Sequence, residues 1–515
     1  MARRGRESAN PSLLNSGAQY TGSHPKLLHR RNHGAAAGLR HRRLRRTPHV
    51  PRPAVREGAL EPGKSARRGA CPRLILANST RAFVVTKQLQ TWTILATLIA
   101  AMASSAVAAP VDDAAMRSRI ERVLSATPVI DGHNDLPAAL RHDFPDKLWT
   151  MDLSGAATSP ITKLQTDIAR LKKGHVGGQF WSVWIPGSMT GAEAVKATLE
   201  QIDIARGFTE RYPQTFAMAG SASDIERIQQ SGRIASLLGV EGGHQMGSSI
   251  SVLRQYYGLG VRYMTLTHTS NNELADSATD NPLHKGLTPF GRAVIEEMNR
   301  LGMLVDVSHV SPDSMRQAIA LSRAPVIFSH SGARAVCEHP RNVPDDVLKL
   351  VAERDGIVMV NFYSGYVSND FNRWSADLAA ETARYNSPPY DGIYIGQPDL
   401  AAAALARWKA AHPKPVVTTA QVADHIEHIV KVAGIDHVGM GSDFDGIDGE
   451  APEGLQSVAD FPNLFVELAR RGWSDDMLAQ LAGRNLLRVM RKTEAVAADL
   501  KSVPLGNPSV ADLTK

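Results

Sequence analysis

Short apolar runs recur along the chain from Val129 onward, each followed by a polar or glycine-containing loop and then an amphipathic stretch. Eight runs follow this pattern: VIDGH (129–133), GQFWSVWI (178–185), IASLLGVE (234–241), RYMTLTH (262–268), MLVDVSH (303–309), PVIFSH (325–330), GIVMVNFY (356–363) and HVGMGSD (437–443). Short strands that are apolar almost throughout and alternate with helices predict a parallel sheet covered on both faces.

The stretches between the runs carry helical signals. ITKLQTDIARLKK places four apolar residues on one helical face, and PFGRAVIEEMNRLG opens with proline and closes on glycine. Eight such βα units predict an α/β fold, a closed (β/α)8 TIM-like barrel. The alternative is an open doubly wound sheet, but no G-x-G-x-x-G motif follows any run.

The alternation also suggests domain boundaries. We assign the barrel to residues 110–500 and a tail to residues 501–515. Residues 367–415 interrupt the pattern between the seventh and eighth runs, and their composition predicts a helical insertion that shapes the mouth of the barrel. The tail has no apolar segment, so we expect no lipid anchor there.

The first 109 residues differ in character from the rest. Residues 1–87 include runs such as HRRLRR without regular apolar spacing, so we expect a disordered Arg-rich leader, by hypothesis a spurious extension from an upstream start codon. In residues 88–109, a short apolar run ends in Ala106-Val107-Ala108, which indicates a cleaved export signal rather than a transmembrane anchor. The expected mature protein is soluble in the bacterial periplasm, without a stable membrane anchor.

The distribution of charge bears on nucleic-acid binding, and the cysteine content bears on disulfide formation. The formal charge is +7, but residues 1–88 contribute +16 (19 basic, 3 acidic) and residues 89–515 contribute −9 (39 basic, 48 acidic). Nucleic-acid binding would therefore depend on the leader alone, and we expect none from the folded body. The two cysteines, Cys71 and Cys337, leave one thiol after signal cleavage, so no internal disulfide can form.

Ionisable side chains stand at the ends of the apolar runs. Side chains two positions apart in a strand point the same way, so His133 and Asp135 can converge. The carboxyl ends of the strands meet at one rim of a parallel barrel, where catalysis occurs. Any one of these residues could be structural, but burying them all without compensation would cost several kcal/mol each. The residues at these ends are His133, Asp135, Glu241, His268, His309, His330 and Asp443.

Divalent cations would compensate this buried charge. Three histidines and two carboxylates exceed what one four-coordinate zinc ion with an open water position needs. Two ions bridged by a carboxylate would use all five donors and hold a hydroxide between them.

The motifs, taken in order, resemble those of one known family. VIDGHNDLP, GQFWSVW, GVEGGH, YMTLTHTSN, LVDVSHVS, PVIFSHS, RNVPDDVL, VMVNFY and GSDFDG follow one another as in the renal or membrane dipeptidases, zinc peptidases of family M19. The similarity runs from about Ser125 to about Met490. It implies a (β/α)8 barrel of the metal-dependent amidohydrolase type with two Zn2+ ions per chain, dipeptide substrates, tolerance of a C-terminal D-residue, and a homodimer.

The resemblance also implies roles for the metal ligands. By correspondence with the family motifs, His133 and Asp135 hold one zinc ion, and His309 and His330 hold the other. Glu241 bridges the two ions.

Two further residues correspond to catalytic groups of the family. His268 matches the histidine that contacts the substrate and stabilises the oxyanion, and Asp443 matches the acid beside the bridging water. Chemistry agrees, because a hydroxide held by two dications can attack the peptide carbonyl. Asp443 can then relay the proton to the departing amine.

The resemblance assigns substrate recognition to a third group of residues. Arg341 matches the residue that binds the substrate carboxylate, and Tyr366 matches a tyrosine nearby. A guanidinium suits bidentate recognition of a free α-carboxylate. The structural alternative for Arg341 is a surface ion pair with Asp345 or Asp346.

Two other functions compete with dipeptide hydrolysis. A related barrel hydrolase would act on a cyclic amide, lactam or ester, but those relatives typically open with H-x-H and bridge their metals through a carboxylated lysine, where this chain has H-N-D and Glu241. A non-catalytic periplasmic binding protein would have lost ligands, and none is missing.

Overall fold

The computed structural model describes residues 113–155, 163–386, 392–504 and 506–513. The predicted leader, the predicted export signal and Cys71 lie outside these residues. The strands of the described part are β1 (Val129–Asn134), β2 (Val176–Trp184), β3 (Phe216–Met218), β4 (Ile234–Glu241), β5 (Val261–Thr265), β6 (Leu304–Asp306), β7 (Ile327–Phe328), β8 (Ile357–Val360) and β9 (Val438–Met440).

Helices alternate with these strands. They are α1 (Asp113–Ala126), α2 (Leu136–Asp143), α3 (Ile168–Lys173), α4 (Gly191–Arg211), α5 (Ala222–Gln230), α6 (Ile250–Gly258), α7 (Pro289–Leu301), α8 (Pro312–Leu321), α9 (Asp345–Glu353), α10 (Ser364–Val367), α11 (Asn369–Asn386), α12 (Pro398–Ala411), α13 (Thr419–Ala433), α14 (Phe461–Arg470), α15 (Asp475–Ala479), α16 (Asn485–Leu500) and α17 (Val510–Leu513). A π-helical turn, Gln480–Arg484, joins α15 to α16. No described helix is long and apolar enough to cross a membrane.

The strands form a closed parallel barrel. The ladder runs β2-β1-β9-β8-β7-β6-β5-β4, and pairing between β2 and β4 closes it. The predicted eight-stranded barrel is therefore confirmed, and the open doubly wound alternative is wrong. The short strand β3 was not predicted; it pairs in parallel with the first three residues of β4.

Two apolar layers hold the barrel. Residues such as Phe180, Leu237 and Ile357 belong to one buried cluster, and strand neighbours such as Trp181 and Leu238 belong to a second cluster shared with the surrounding helices. This division follows from the alternation of side chains along a strand.

The helix α16 closes the amino-terminal end of the barrel. Its residues Leu486, Val489 and Met490 share a buried cluster with Ile130 and Ile357, which lie near the starts of β1 and β8. The opposite, carboxyl end is thereby the open end that is available for a site.

Helices α11 and α12 lie in the segment where the sequence pattern predicts an insertion. The rings of Trp374 and Trp408 lie 6.3 Å apart between them, and the indole of Trp374 donates to the carbonyl of His412 at 2.8 Å. These contacts tie both helices to the chain that leads into α13.

Candidate metal centre

Five of the predicted ligands converge at the carboxyl end of the barrel. His133 lies in β1, Asp135 follows that strand, and Glu241 is the last residue of β4. His309 lies three residues after β6 and His330 two residues after β7. We call these five residues the metal cluster. All are buried, and the most accessible, Asp135, is 7 % exposed.

Glu241 stands at the middle of the metal cluster. Its Oε2 lies 3.5 Å from Nε2 of His133. Its Oε1 lies 3.0 Å from Nε2 of His309 and 3.4 Å from Nε2 of His330. Both oxygens of this one carboxylate therefore have histidine nitrogens close by, as its place among the three histidines requires.

The spacing of donors tests whether metal ions fit. Two ligands about 2.0–2.2 Å from a tetrahedral ion lie about 3.3–3.6 Å from each other. Nε2 of His133 lies 3.3 Å from Oδ2 of Asp135, and the Nε2 atoms of His309 and His330 lie 2.9 Å apart. Nε2 of His133 is buried and makes no hydrogen bond. The residues present therefore fit divalent ions.

The electrostatics of the metal cluster agree with this fit. Burial disfavours the charged form of His133, but Tyr263, Glu241 and Asp135 together raise the pKa of its imidazole well above the ordinary value. The carboxylates therefore favour positive charge at His133, and a metal ion would take the place of this proton on Nε2. Burial, together with nearby positive charge, holds the pKa of His309 and of His330 well below the ordinary value. Neutral imidazole is the form that binds metal.

Tyr263 orients His133 from inside the barrel. The Tyr263 hydroxyl lies 2.8 Å from Nδ1 of His133, which leaves Nε2 facing the carboxylates. A Cβ at Gly239, its neighbour on β4, would lie 1.9 Å from the Tyr263 ring, so only glycine leaves room for this tyrosine. Sequence analysis missed Tyr263, since an aromatic residue within a strand normally indicates core packing.

Asp306 supports His330 indirectly, through Ser329. The Ser329 hydroxyl donates to Oδ2 of Asp306 at 2.5 Å and lies 2.8 Å from Nδ1 of His330. Asp306 also accepts hydrogen bonds from Thr265 and from the backbone of Ser308. Such partners fix the ring orientation of a ligating histidine.

A second buried aspartate supports the end of β9. Asp131 accepts from the hydroxyl of Ser442 at 2.7 Å and from the amide of Gln179 at 3.0 Å. Burial raises the pKa of Asp131 despite these bonds. Sequence analysis missed both Asp131 and Asp306; their signal is an acid inside an otherwise apolar strand, VID and VDV.

Asp443 lies beside the metal cluster. Its Oδ1 is 3.9 Å from Nε2 of His133, and its Oδ2 accepts from the Asn361 amide at 2.8 Å. Burial and the neighbouring carboxylates Asp135 and Glu241 hold the pKa of Asp443 well above its ordinary value. Asn361 is a further site residue that sequence analysis missed.

The backbone is strained at two positions of the site. His309 has φ +66° and Asp443 has φ +64°, in the left-handed region that residues with side chains rarely adopt. Such conformations persist where the surroundings hold them, and they concentrate at functional sites.

His268 lies at the edge of the site. Its Nε2 is 3.7 Å from Oε1 of Glu241, and the indole nitrogen of Trp184 donates to its Nδ1 at 3.5 Å. With Nδ1 accepting, the ring proton is on Nε2, which faces the cluster. Burial lowers the pKa of His268, which keeps the ring neutral.

Arg341 is buried without an acidic partner in the described part of the chain. It is 1 % exposed, and its guanidinium donates to the carbonyl of His330 at 3.1 Å and lies 5.3 Å from the Tyr366 ring. The alternative ion pairs are wrong: Asp345 pairs with His428 and Asp346 with Arg316.

Fold and site together define a class. A closed parallel barrel with histidines and carboxylates gathered at the carboxyl ends of its strands has the architecture of a metal-dependent barrel hydrolase. A sequence profile of the membrane dipeptidases, peptidase family M19, matches residues 117–503. The chain belongs to this family of metallopeptidases.

Individual relatives agree with the assignment. The chain is 42 % identical over 397 residues to an uncharacterized dipeptidase of Schizosaccharomyces pombe, covering 74 % of this chain and 85 % of the relative. The structure is similar to that of the probable dipeptidase PvdM from Pseudomonas aeruginosa, with 26 % identity, a TM-score of 0.63, and coverage of 75 % of this chain and 100 % of the other.

A more distant relative supports the fold alone. It is a metallo peptidase from Rhodobacter sphaeroides, solved with a phosphinate mimic of the dipeptide L-Ala-D-Ala. Identity is 22 %, the TM-score is 0.58, and the match covers 71 % of this chain and 99 % of the other.

Proposed function

We propose that this chain hydrolyses dipeptides at the metal cluster, and that two zinc ions serve the reaction. The single observation that carries the proposal is the position of Glu241, whose two carboxylate oxygens face His133 on one side and His309 and His330 on the other. Membership in the membrane dipeptidase family supports the substrate class.

The metal cluster supplies ligands for both ions. His133 and Asp135 would hold one zinc ion, His309 and His330 the other, and Glu241 would serve both. Bound ions of this kind lower the pKa of water and so supply a hydroxide nucleophile near neutral pH. Tyr263 and Asp306 keep the ligand rings in orientation, directly for His133 and through Ser329 for His330.

Arg341 and Tyr366 form the proposed substrate-carboxylate site. A buried guanidinium without an acidic partner retains unsatisfied charge, and a free α-carboxylate would complete its hydrogen bonding. Because an internal residue of a long peptide has no carboxylate to offer, this site favours very short peptides.

His268 and Asp443 are the proposed catalytic residues. With its proton on Nε2, His268 can donate to the carbonyl oxygen as negative charge develops there. Asn361 occupies one oxygen of Asp443, which leaves Oδ1 facing the reaction centre to pass a proton to the leaving amine.

A substrate panel tests the proposal. The zinc-loaded protein is assayed with L,L- and L,D-dipeptides, the same peptides with amidated carboxyl termini, a simple ester and a cyclic lactam. We expect turnover of free dipeptides of both stereochemistries and weak activity on the amides. Hydrolysis of the ester or lactam with the dipeptides left intact would contradict the proposal and favour a different barrel hydrolase.

We further propose that residues 88–109 direct export and are removed, so that the mature enzyme acts in the periplasm, and that the enzyme is a homodimer, as the family resemblance implies. The resemblance and the Ala106-Val107-Ala108 pattern support this. Amino-terminal sequencing of the natural protein tests it, and a mature chain that retains HRRLRR would contradict it.

A further inference from the structure

We propose that Asn342 and His425 are positioning residues that hold Arg341 and Tyr366 in the geometry needed to bind the substrate carboxylate. This inference rests on the proposed function. Both side chains are fully buried, at 0 % exposure, and both are polar. Polar groups buried this deeply are retained where their hydrogen bonds fix a particular arrangement.

The side chain of Asn342 connects three segments of the chain. Its Oδ1 accepts from the backbone amide of Gly332 at 2.9 Å, in the loop after β7. Its Nδ2 donates to the carbonyls of Cys337 and Tyr366, both at 2.8 Å. Because Asn342 directly follows Arg341, this one amide group fixes Arg341, Tyr366 and the loop after β7 relative to one another.

His425 makes an equivalent connection from α13. Its Nδ1 accepts from the backbone amide of Ala333 at 2.9 Å, and its Nε2 donates to the carbonyl of Val367 at 3.0 Å. Both ring nitrogens are used, so the ring is neutral with one fixed tautomer. A Cβ at Gly332 would lie 2.6 Å from Oδ1 of Asn342 and 2.7 Å from Nδ1 of His425, so glycine allows both to approach.

Arg341 has no ionic partner in the described residues to hold it in place. Its backbone amide donates to Nδ1 of His339 at 3.1 Å, and the His339 ring lies 4.4 Å from the Tyr366 ring. The guanidinium donates to the carbonyl of His330 at 3.1 Å and to the hydroxyl of Ser331 at 3.4 Å, both in the loop after β7. Because Asn342 holds this loop through Gly332, the direction of the guanidinium depends on that anchor. Loosening that anchor should weaken binding of the substrate carboxylate, while the metal cluster keeps its own supports.

Asn342→Ala and Asn485→Ala form a matched pair for the test. Asn485 is also buried, and its Nδ2 donates to the carbonyls of Ile435 and Val438 at 2.7 and 2.9 Å, before β9 and at its start. We expect Asn342→Ala to raise KM for a free dipeptide about tenfold, with kcat changed by less than about threefold, because misplacing a binding group costs affinity. Turnover of the amidated peptide and zinc content should not change. Asn485→Ala should alter none of these values.

His425→Gln provides a second variant that preserves more of the fold. The glutamine amide can still donate to the carbonyl of Val367, but it no longer accepts from the amide of Ala333. KM for the free dipeptide should therefore rise, and by less than in Asn342→Ala. Equal losses of kcat on free and amidated peptides, or the same rise in KM for Asn485→Ala, would overturn the positioning role alone. Wild-type enzyme that treats both peptides equally would overturn the carboxylate site itself, and the positioning role with it.

Discussion

The imidazole rings of His309 and His330 face each other through their Nε2 atoms, 2.9 Å apart. Both nitrogens also lie close to one carboxylate oxygen, Oε1 of Glu241, at 3.0 Å from His309 and 3.4 Å from His330. Neutral nitrogens gathered on one carboxylate oxygen are suited to sharing a cation.

Metal removal is the most direct test of this relationship. Chelation should abolish dipeptide hydrolysis, and added zinc should restore it. The melting temperature should fall as well, because an ion at 1,000 times its Kd stabilises the folded state by about 4 kcal/mol. Activity assays and thermal scans, with zinc measured by atomic absorption, check both effects. Full activity in a sample shown to be free of metal would contradict the assignment.

Glu241→Gln should remove the shared ligand. A neutral amide cannot serve both histidine sets as a carboxylate does, so kcat/KM should fall by about 1,000-fold, or roughly 4 kcal/mol. Zinc content should also decrease. Glu297→Gln is the control, because Glu297 is a buried glutamate on α7 that pairs with Arg254 and Arg300. That variant should lose stability and keep both its metal and its activity.

Arg341→Leu should discriminate between substrates. Removing one partner of a buried charge pair costs about 3 kcal/mol, so kcat/KM for free dipeptides should fall by about 100-fold. For amidated dipeptides kcat/KM should change little. The activity of Arg341→Lys on free dipeptides should lie between those of wild type and Arg341→Leu, because lysine keeps the charge and lacks the planar fork. Equal losses on free and amidated substrates would argue against the carboxylate site.

Tyr263→Phe should weaken metal binding and leave the packing of the barrel core unchanged. The change removes only the hydroxyl that contacts Nδ1 of His133, and loss of such a partner typically costs about 10–100-fold in metal affinity. Competition with a fluorescent zinc chelator measures it. Tyr256→Phe is the control, since its buried hydroxyl donates to the carbonyl of Gln245; zinc affinity there should be unchanged.

Acid should destabilise the fold through His425. Burial lowers the pKa of His425 to about 4 from an ordinary 6.5. Between these two pH values His425 is therefore protonated in the unfolded chain and neutral in the folded protein. Stability from this residue is therefore complete above about pH 6.5 and is lost as the pH falls toward 4, with a ceiling of about 3 kcal/mol. The stability advantage of wild type over His425→Gln should shrink from pH 7 to pH 4.5 in denaturant unfolding of the metal-free proteins. A stability difference between the two proteins that stays constant across this pH range would contradict the prediction.

The barrel was predictable because its signal is local and repeated. Each apolar run overlaps one strand of the barrel, as the run ending in Glu241 overlaps β4. The strands are shorter than their runs where the chain must turn to aim a side chain: β6 stops at Asp306, and His309 then adopts φ +66°. β3 was missed because its three residues, Phe216–Met218, are too few to show the hydrophobic pattern of a strand.

The supporting residues of the site were less predictable. His133 and Asp135 could be inferred to converge from strand geometry alone, but Tyr263 reaches His133 only because β4 and β5 are neighbours and Gly239 leaves space. Asn342 presents a similar case, since its partners lie in segments separated by 10 and 24 positions. Contacts of this kind depend on the assembled fold, and no short pattern encodes them.

The helix α16 seals the end of the barrel opposite the metal cluster with Leu486, Val489 and Met490. The residues that seal the barrel and the residues proposed for catalysis therefore lie at opposite ends of it. Laboratory evolution could therefore vary the loops at the carboxyl end of the barrel to accommodate new substrates while the apolar residues at the opposite end stay unchanged.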